Sequence, residues 1–156
     1  MTPTLSGRIQ TRIVALVVVG GLWTLIIGPL LPRPAGSSLS DMYAALYTAL
    51  IVVVVLGIVW ELLYHVLQQF RWEKDWPTMF GLLVAIPEGI AAYLLLDAGL
   101  PWDQRMVADG SASFPLAAFL IMFTTTWLLV WAVVNGPMQL FFLRWRFRGG
   151  RYDDRW

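Results

Sequence analysis

Four stretches of this chain stay apolar long enough to cross a lipid bilayer, and short polar segments separate them. They run approximately from Ile13 to Leu31, Met42 to Leu67, Thr78 to Ala98 and Phe114 to Leu143. A spanning helix needs about 20 mostly apolar residues, so all four qualify. The second and fourth exceed that length, which calls for tilt or a protruding end. The pattern predicts an all-α integral membrane protein, a four-transmembrane-helix bundle. It forms one membrane domain over residues 1–156, with 144–156 as a basic cytoplasmic tail.

The polar positions between the stretches carry turn and cap chemistry. Pro32 and Pro34 flank Arg33 after the first span, and Gly36 to Asp41 supplies turn residues and an N-cap for the second. Asp75 precedes Trp76-Pro77 and caps the third helix, while Gly99-Leu100-Pro101 stops it. Ser113 caps the fourth with Pro115 in its first turn, and Gly149-Gly150 releases the chain. The first span is expected to be retained and not cleaved as a signal peptide. Its apolar run is too long, and Pro32-Arg33-Pro34 stands where small residues would precede cleavage.

Charge then orients the spans. Short cytoplasmic loops carry an excess of Lys and Arg. Arg8, Arg12, Arg71, Lys74 and the five arginines from Arg144 to Arg155 fall on one side, against Arg33 and Arg105 on the other. A bias of nine to two predicts an N-in/C-in protein of the cell (inner) membrane. It also argues against a dual-topology exporter, which needs a weak bias. Trp72, Trp76, Trp102 and Trp145 fall near the expected interfaces, where an apolar ring with a polar N–H is favoured. Trp23, Trp60, Trp127 and Trp131 lie deeper and read as packing volume.

Composition agrees: 58% of residues are hydrophobic and 13% charged, too few polar groups to cover a water-facing domain. There is no cysteine, which excludes disulfides, thiolate catalysis and Cys-ligated metal within the chain. One histidine cannot ligate haem twice. No Gly-x-Ser-x-Gly or Ser-His-Asp arrangement and no nucleotide loop is present, so no enzyme and no cofactor is implied. Ten of the eleven basic side chains are Arg, a usage that suits a GC-rich bacterial genome.

Three ionisable residues interrupt the spans: Glu61, His65 and Glu88. Each costs at least about 2.5–3.5 kcal/mol if exposed to lipid as a charge. Glu61 and Glu88 both lie roughly 15 Å from the expected cytoplasmic boundary at 1.5 Å per residue, and Asn135 of the fourth span lies at a similar depth. Glu61 and His65 share a face at i,i+4. Glu88 falls on a stripe with Gly81, Ala85 and Ala92, the small-residue pattern of a close-packed membrane interface. These spacings predict an intramembrane polar cluster of Glu61, His65, Glu88 and Asn135. Pro87 and Pro137 free the carbonyls of Leu83 and Val133, for which the cluster offers donors.

Such a cluster fits a structural polar core, a proton or ion pathway, or a metal site with Glu61, His65 and Glu88 as candidate ligands. The Glu-x-x-His spacing of di-iron bundles is absent. Arg144, Arg146, Arg148 and Arg151, interleaved with Trp145 and Phe147, suit anionic lipid headgroups or a partner protein. Nucleic acid is not an expected partner. The most economical functional expectation is an accessory or scaffold subunit of a larger bacterial membrane complex. The alternative is a small oligomeric proton, ion or metal transporter using the Glu/His cluster.

Overall fold

The computed structural model describes residues 5–34, 36–70, 80–99 and 114–141. Within them the chain is all-helical and contains no strand. We label the helices α1 (Leu5–Leu30), α2 (Leu39–Gln69), α3 (Phe80–Leu83 continued by Ala85–Asp97) and α4 (Leu116–Phe141). Three of them, α1, α2 and α4, are long and apolar enough to cross a membrane, and α3 is shorter. The expected caps Asp75 and Ser113, the loop charges Arg71, Lys74 and Arg105, and Arg144, Arg146, Arg148 and Arg151 of the tail lie outside the described residues.

The bundle closes on itself: α1 packs against α2 and α4, and α3 packs against the same two. The α1–α2 register is antiparallel, because Gly28 meets Tyr43, Gly20 meets Leu50 and Gly57 meets Arg12. The α3–α4 register is antiparallel too, with Gly89 against Phe123 and Gly81 against Trp131. One half of the bundle is a dry core in which Leu16, Met42, Leu46, Ala92, Phe119 and Met122 are all essentially inaccessible. The other half holds the charges.

Local chemistry explains the ends and breaks. Ser38 and Asp41 form a reciprocal cap at the start of α2: the Asp41 N–H donates to Ser38 Oγ at 3.1 Å, and the Ser38 N–H to Asp41 Oδ2 at 3.1 Å. Near the end of α1, Pro29 cannot donate to the carbonyl of Leu25 four residues back. The Tyr43 hydroxyl of α2 donates to that carbonyl instead, at 2.8 Å. Gly28 makes this possible, since a Cβ there would stand 2.6 Å from the Tyr43 ring. In α3 the helix is interrupted at Val84, three residues before Pro87, and the Trp127 indole donates to the Gly81 carbonyl at 2.8 Å. In α4 the Gly136-Pro137 step divides Leu116–Asn135 from Pro137–Phe141. Pro115 occupies the N-cap of this helix, one position before its first turn.

An aromatic ladder runs along α4 where it faces α3. Phe119 stacks on Phe123 with centroids 5.4 Å apart, and Phe123 meets Trp127 at 5.5 Å. The ladder needs a smooth opposing surface, and Gly89 provides it: a Cβ there would fall 2.8 Å from the Phe123 ring. Phe123 is 8% exposed and has Phe119 and Trp127 on either side, so its ring must shift against them to admit a methyl group. Gly89→Ala is therefore expected to destabilise the protein by about 1–3 kcal/mol through overpacking. Gly21→Ala, with no atom within 4 Å of the new methyl, should be neutral or better. Thermal unfolding of both variants in the same detergent measures the difference.

Candidate functional site

The charged half of the bundle is built around Arg12. Arg8 and Arg12 are one helical turn apart on α1, so their side chains share a face. That face turns toward α2 and α3. Arg8 Nε donates to Glu61 Oε2 at 3.0 Å, and Arg12 Nη1 approaches Glu61 Oε1 at 3.4 Å. Arg12 Nη2 pairs with Glu88 Oε2 of α3. One guanidinium thus bridges carboxylates from two other helices, through two nitrogens that diverge in a fixed plane. An ammonium is a point donor and cannot reproduce this geometry.

Three features make room for that bridge. The Arg12 side chain lies directly over Gly57 of α2, in space a Cβ would occupy. The ring of Trp127 on α4 covers the guanidinium at 5.2 Å, a cation–π contact. The α3 stripe turns Glu88 inward, where its side chain is 2% exposed, while Arg8, Arg12 and Glu61 are 17%, 13% and 15% exposed. Two positive and two negative side chains therefore form a cluster of zero formal charge shared by α1, α2 and α3.

A cavity of about 310 Å³ adjoins the cluster between α1 and α4. Arg8, Arg12 and Glu61 form one wall, and Trp127, Trp131, Asn135 and Gln139 form the other. Asn135 donates to the carbonyl of Trp131 at 2.8 Å, one turn back on its own helix.

Of the four residues expected in the cluster, Glu61 and Glu88 are brought together through Arg12, and Asn135 lines the adjoining cavity. His65 is half-buried one turn from Glu61, and neither carboxylate takes a hydrogen bond from it among the described residues. Both carboxylates accept from arginines and do not serve as donors to freed carbonyls. Among the described residues no three His, Cys, Asp or Glu side chains gather as a metal-holding group, so Glu61, His65 and Glu88 do not converge as ligands.

The counter-ions Arg8 and Arg12 were missed in the sequence as site residues and read only as cytoplasmic flanking charges. The helix carrying the first span begins at Leu5, eight residues before Ile13. This brings both arginines to the depth of the carboxylates. The available signal was their i,i+4 spacing immediately before an apolar run, matched in number by two intramembrane carboxylates. Trp127 was read as packing volume, but it also caps the cation and donates to the α3 break.

Breaking a buried pair leaves an uncompensated charge, at a cost of about 3–5 kcal/mol. Arg12→Met and Glu88→Gln should each destabilise on that scale. The double variant leaves Arg8 and Glu61 balanced, so it should recover most of the loss. A double-mutant cycle by unfolding in detergent measures this coupling; purely additive losses would contradict the pairing. No family model, no curated protein and no solved structure matches this chain.

Proposed function

We propose that this chain is a four-span, N-in/C-in protein of the bacterial cell membrane that serves as an accessory or scaffold subunit of a larger membrane complex. The observation that carries this reading is the closed charge cluster. Glu61 and Glu88 are held by Arg8 and Arg12, which makes them fasteners between helices and not open ligands. A bundle with no catalytic set among the described residues offers its outer apolar faces as its working surface. Ile86, Ile90 and Leu94 on α3, and Leu116, Leu120 and Leu128 on α4, are each about half exposed or more, which suits lipid or a partner helix.

The topology rests on charge. Withdrawing Arg8 and Arg12 from the count, because they lie within α1 and are paired, leaves seven basic residues against two. That bias still favours both termini inside and α3 as a full span. The basic tail with Arg144, Arg146, Arg148 and Arg151 then meets anionic headgroups of the inner leaflet.

A second reading, a proton or ion transporter that uses the Glu61–Glu88 cluster, is favoured by the cavity beside Glu61, which Asn135 and Gln139 also line. Two measurements separate the readings. Affinity purification in mild detergent with mass spectrometry should recover a stoichiometric larger partner; a lone homo-oligomer would favour transport. In proteoliposomes the parent should show no proton or cation flux above that of the Arg12→Met/Glu88→Gln variant. Flux lost in that variant would overturn the scaffold reading. For topology, single cysteines at Ser37 or Ala112 should react with an impermeant thiol reagent in intact cells, and one at Glu73 should not.

A further inference from the structure

The cavity between α1 and α4 presents hydrogen-bonding groups that the bundle leaves unsatisfied. Glu61, Asn135 and Gln139 line it beside the two arginines. Asn135 spends one N–H on the Trp131 carbonyl. Its amide has a second N–H and a carbonyl oxygen, and among the described residues nothing takes them up. The Gln139 side chain makes no hydrogen bond among the described residues. Each oxygen of Glu61 accepts from one arginine, and a carboxylate has about four acceptor sites. Acyl chains carry no donor or acceptor, so lipid cannot satisfy this wall. Water can. The cavity is polar and, at about 310 Å³, roomy, the two conditions for hydration.

The two ends of the cavity differ. One end lies where helices begin and finish: Arg8 is in the first turn of α1, which starts at Leu5, and Gln139 is exposed in the last turn of α4, which runs to Phe141. Both of these helix ends face the side of the chain termini. The other end is shut. Arg12 lies against the Trp127 ring, and beyond Trp127 the helices meet. Leu16, Met122 and Thr126 are buried there, and a Cβ on Gly20 would stand 3.1 Å from Leu50 and 3.2 Å from Thr126. Glu88, at 2% exposed, does not line the cavity. The charge cluster thus has a flank that faces the cavity, at Glu61, and a sealed flank, at Glu88.

We propose that this cavity is a single-ended aqueous vestibule, which brings water and small hydrophilic solutes from the side of the chain termini to Glu61 and stops at Trp127. Charged side chains within a membrane typically face one another or a water-filled cavity. Here the cluster does both, wet at Glu61 and dry at Glu88. The vestibule goes beyond the scaffold reading, and it holds whether the bundle serves a partner or moves an ion.

The test uses the full chain in membrane vesicles of both orientations, with a C-terminal tag to mark the side of the termini. The chain has no cysteine, so single cysteines report access without background. A small charged methanethiosulfonate reacts with thiolate, and a thiol in apolar surroundings stays protonated. Val130→Cys and Val134→Cys, both in the cavity wall, should react at least tenfold faster than Leu128→Cys and Ala132→Cys on the exposed face of α4. They should do so only in vesicles whose tag is accessible. Gln139→Trp, or Thr11→Trp should the first not insert, narrows the cavity and should slow labelling of the Val134→Cys chain at least tenfold. Leu140→Trp, 72% exposed and away from the cavity wall, should leave it unchanged. Rates at Val130 and Val134 no faster than at Leu128 overturn the aqueous vestibule. Equal labelling from both faces overturns the shut end. Labelling unchanged by both Gln139→Trp and Thr11→Trp overturns the route between α1 and α4.

Discussion

A charge inside a bilayer must carry its counter-charge with it, and in this protein Arg12 is where that requirement converges. The carboxylates of Glu61 and Glu88 arrive on different helices, and one guanidinium holds both. Much of the surrounding architecture follows from this bridge. Residue 57 must lack a side chain because the Arg12 stem crosses α2 there. Trp127 must lie flat over the cation, which fixes the rotation of α4 and places its indole against the interrupted turn of α3. Arg8 supplies the second positive charge that balances the pair. Each partner is weakly constrained alone; together they lock α1, α2 and α3 at one depth.

Backbone polarity imposes the second constraint. Where proline removes an N–H in lipid, some other group must take up the carbonyl it leaves. The Tyr43 hydroxyl does so for Leu25 near the end of α1. Where α3 is interrupted at Val84, the Trp127 indole takes up the carbonyl of Gly81. These donors come from neighbouring helices. The irregular turns therefore add links between helices and do not loosen the bundle. The uncharged half has links of the same kind, from the Trp23 indole to Thr125 Oγ1 at 2.9 Å and from the Tyr47 hydroxyl to the Gly21 carbonyl at 3.1 Å, and small residues such as Ala45, Ala49, Ala92 and Ala118 let the helices approach around Phe119 and Met122.

Hydropathy and turn chemistry made the helices legible in the sequence, and the Ser38–Asp41 cap was visible as a short motif. The depth argument drew attention to Glu61, Glu88 and Asn135, because polar side chains within apolar runs are conspicuous. It missed their partners for the same reason. A span is ended at its first charge, so Arg8 and Arg12 were read only as flanking charges, whereas α1 continues past them to Leu5 and turns them toward Glu61 and Glu88. The i,i+4 spacing of Glu61 and His65 suggested a pair, but spacing reports only a shared face. Arg8 reaches the carboxylate from another helix, and a guanidinium–carboxylate bond is among the stronger hydrogen bonds a carboxylate can accept. The cavity was not legible at all, since it depends on how far α1 and α4 stand apart.

The neutrality of the cluster also bears on what the bundle can do. Arg12 contacts Glu61 as well as Glu88, and Arg8 holds Glu61 too. A transport cycle through Glu88 would protonate it and leave two guanidiniums facing the one carboxylate of Glu61. That leaves a positive charge uncompensated among apolar helices, which is unfavourable unless another anion arrives with it. This imbalance is the physical reason for reading the cluster as a fastener.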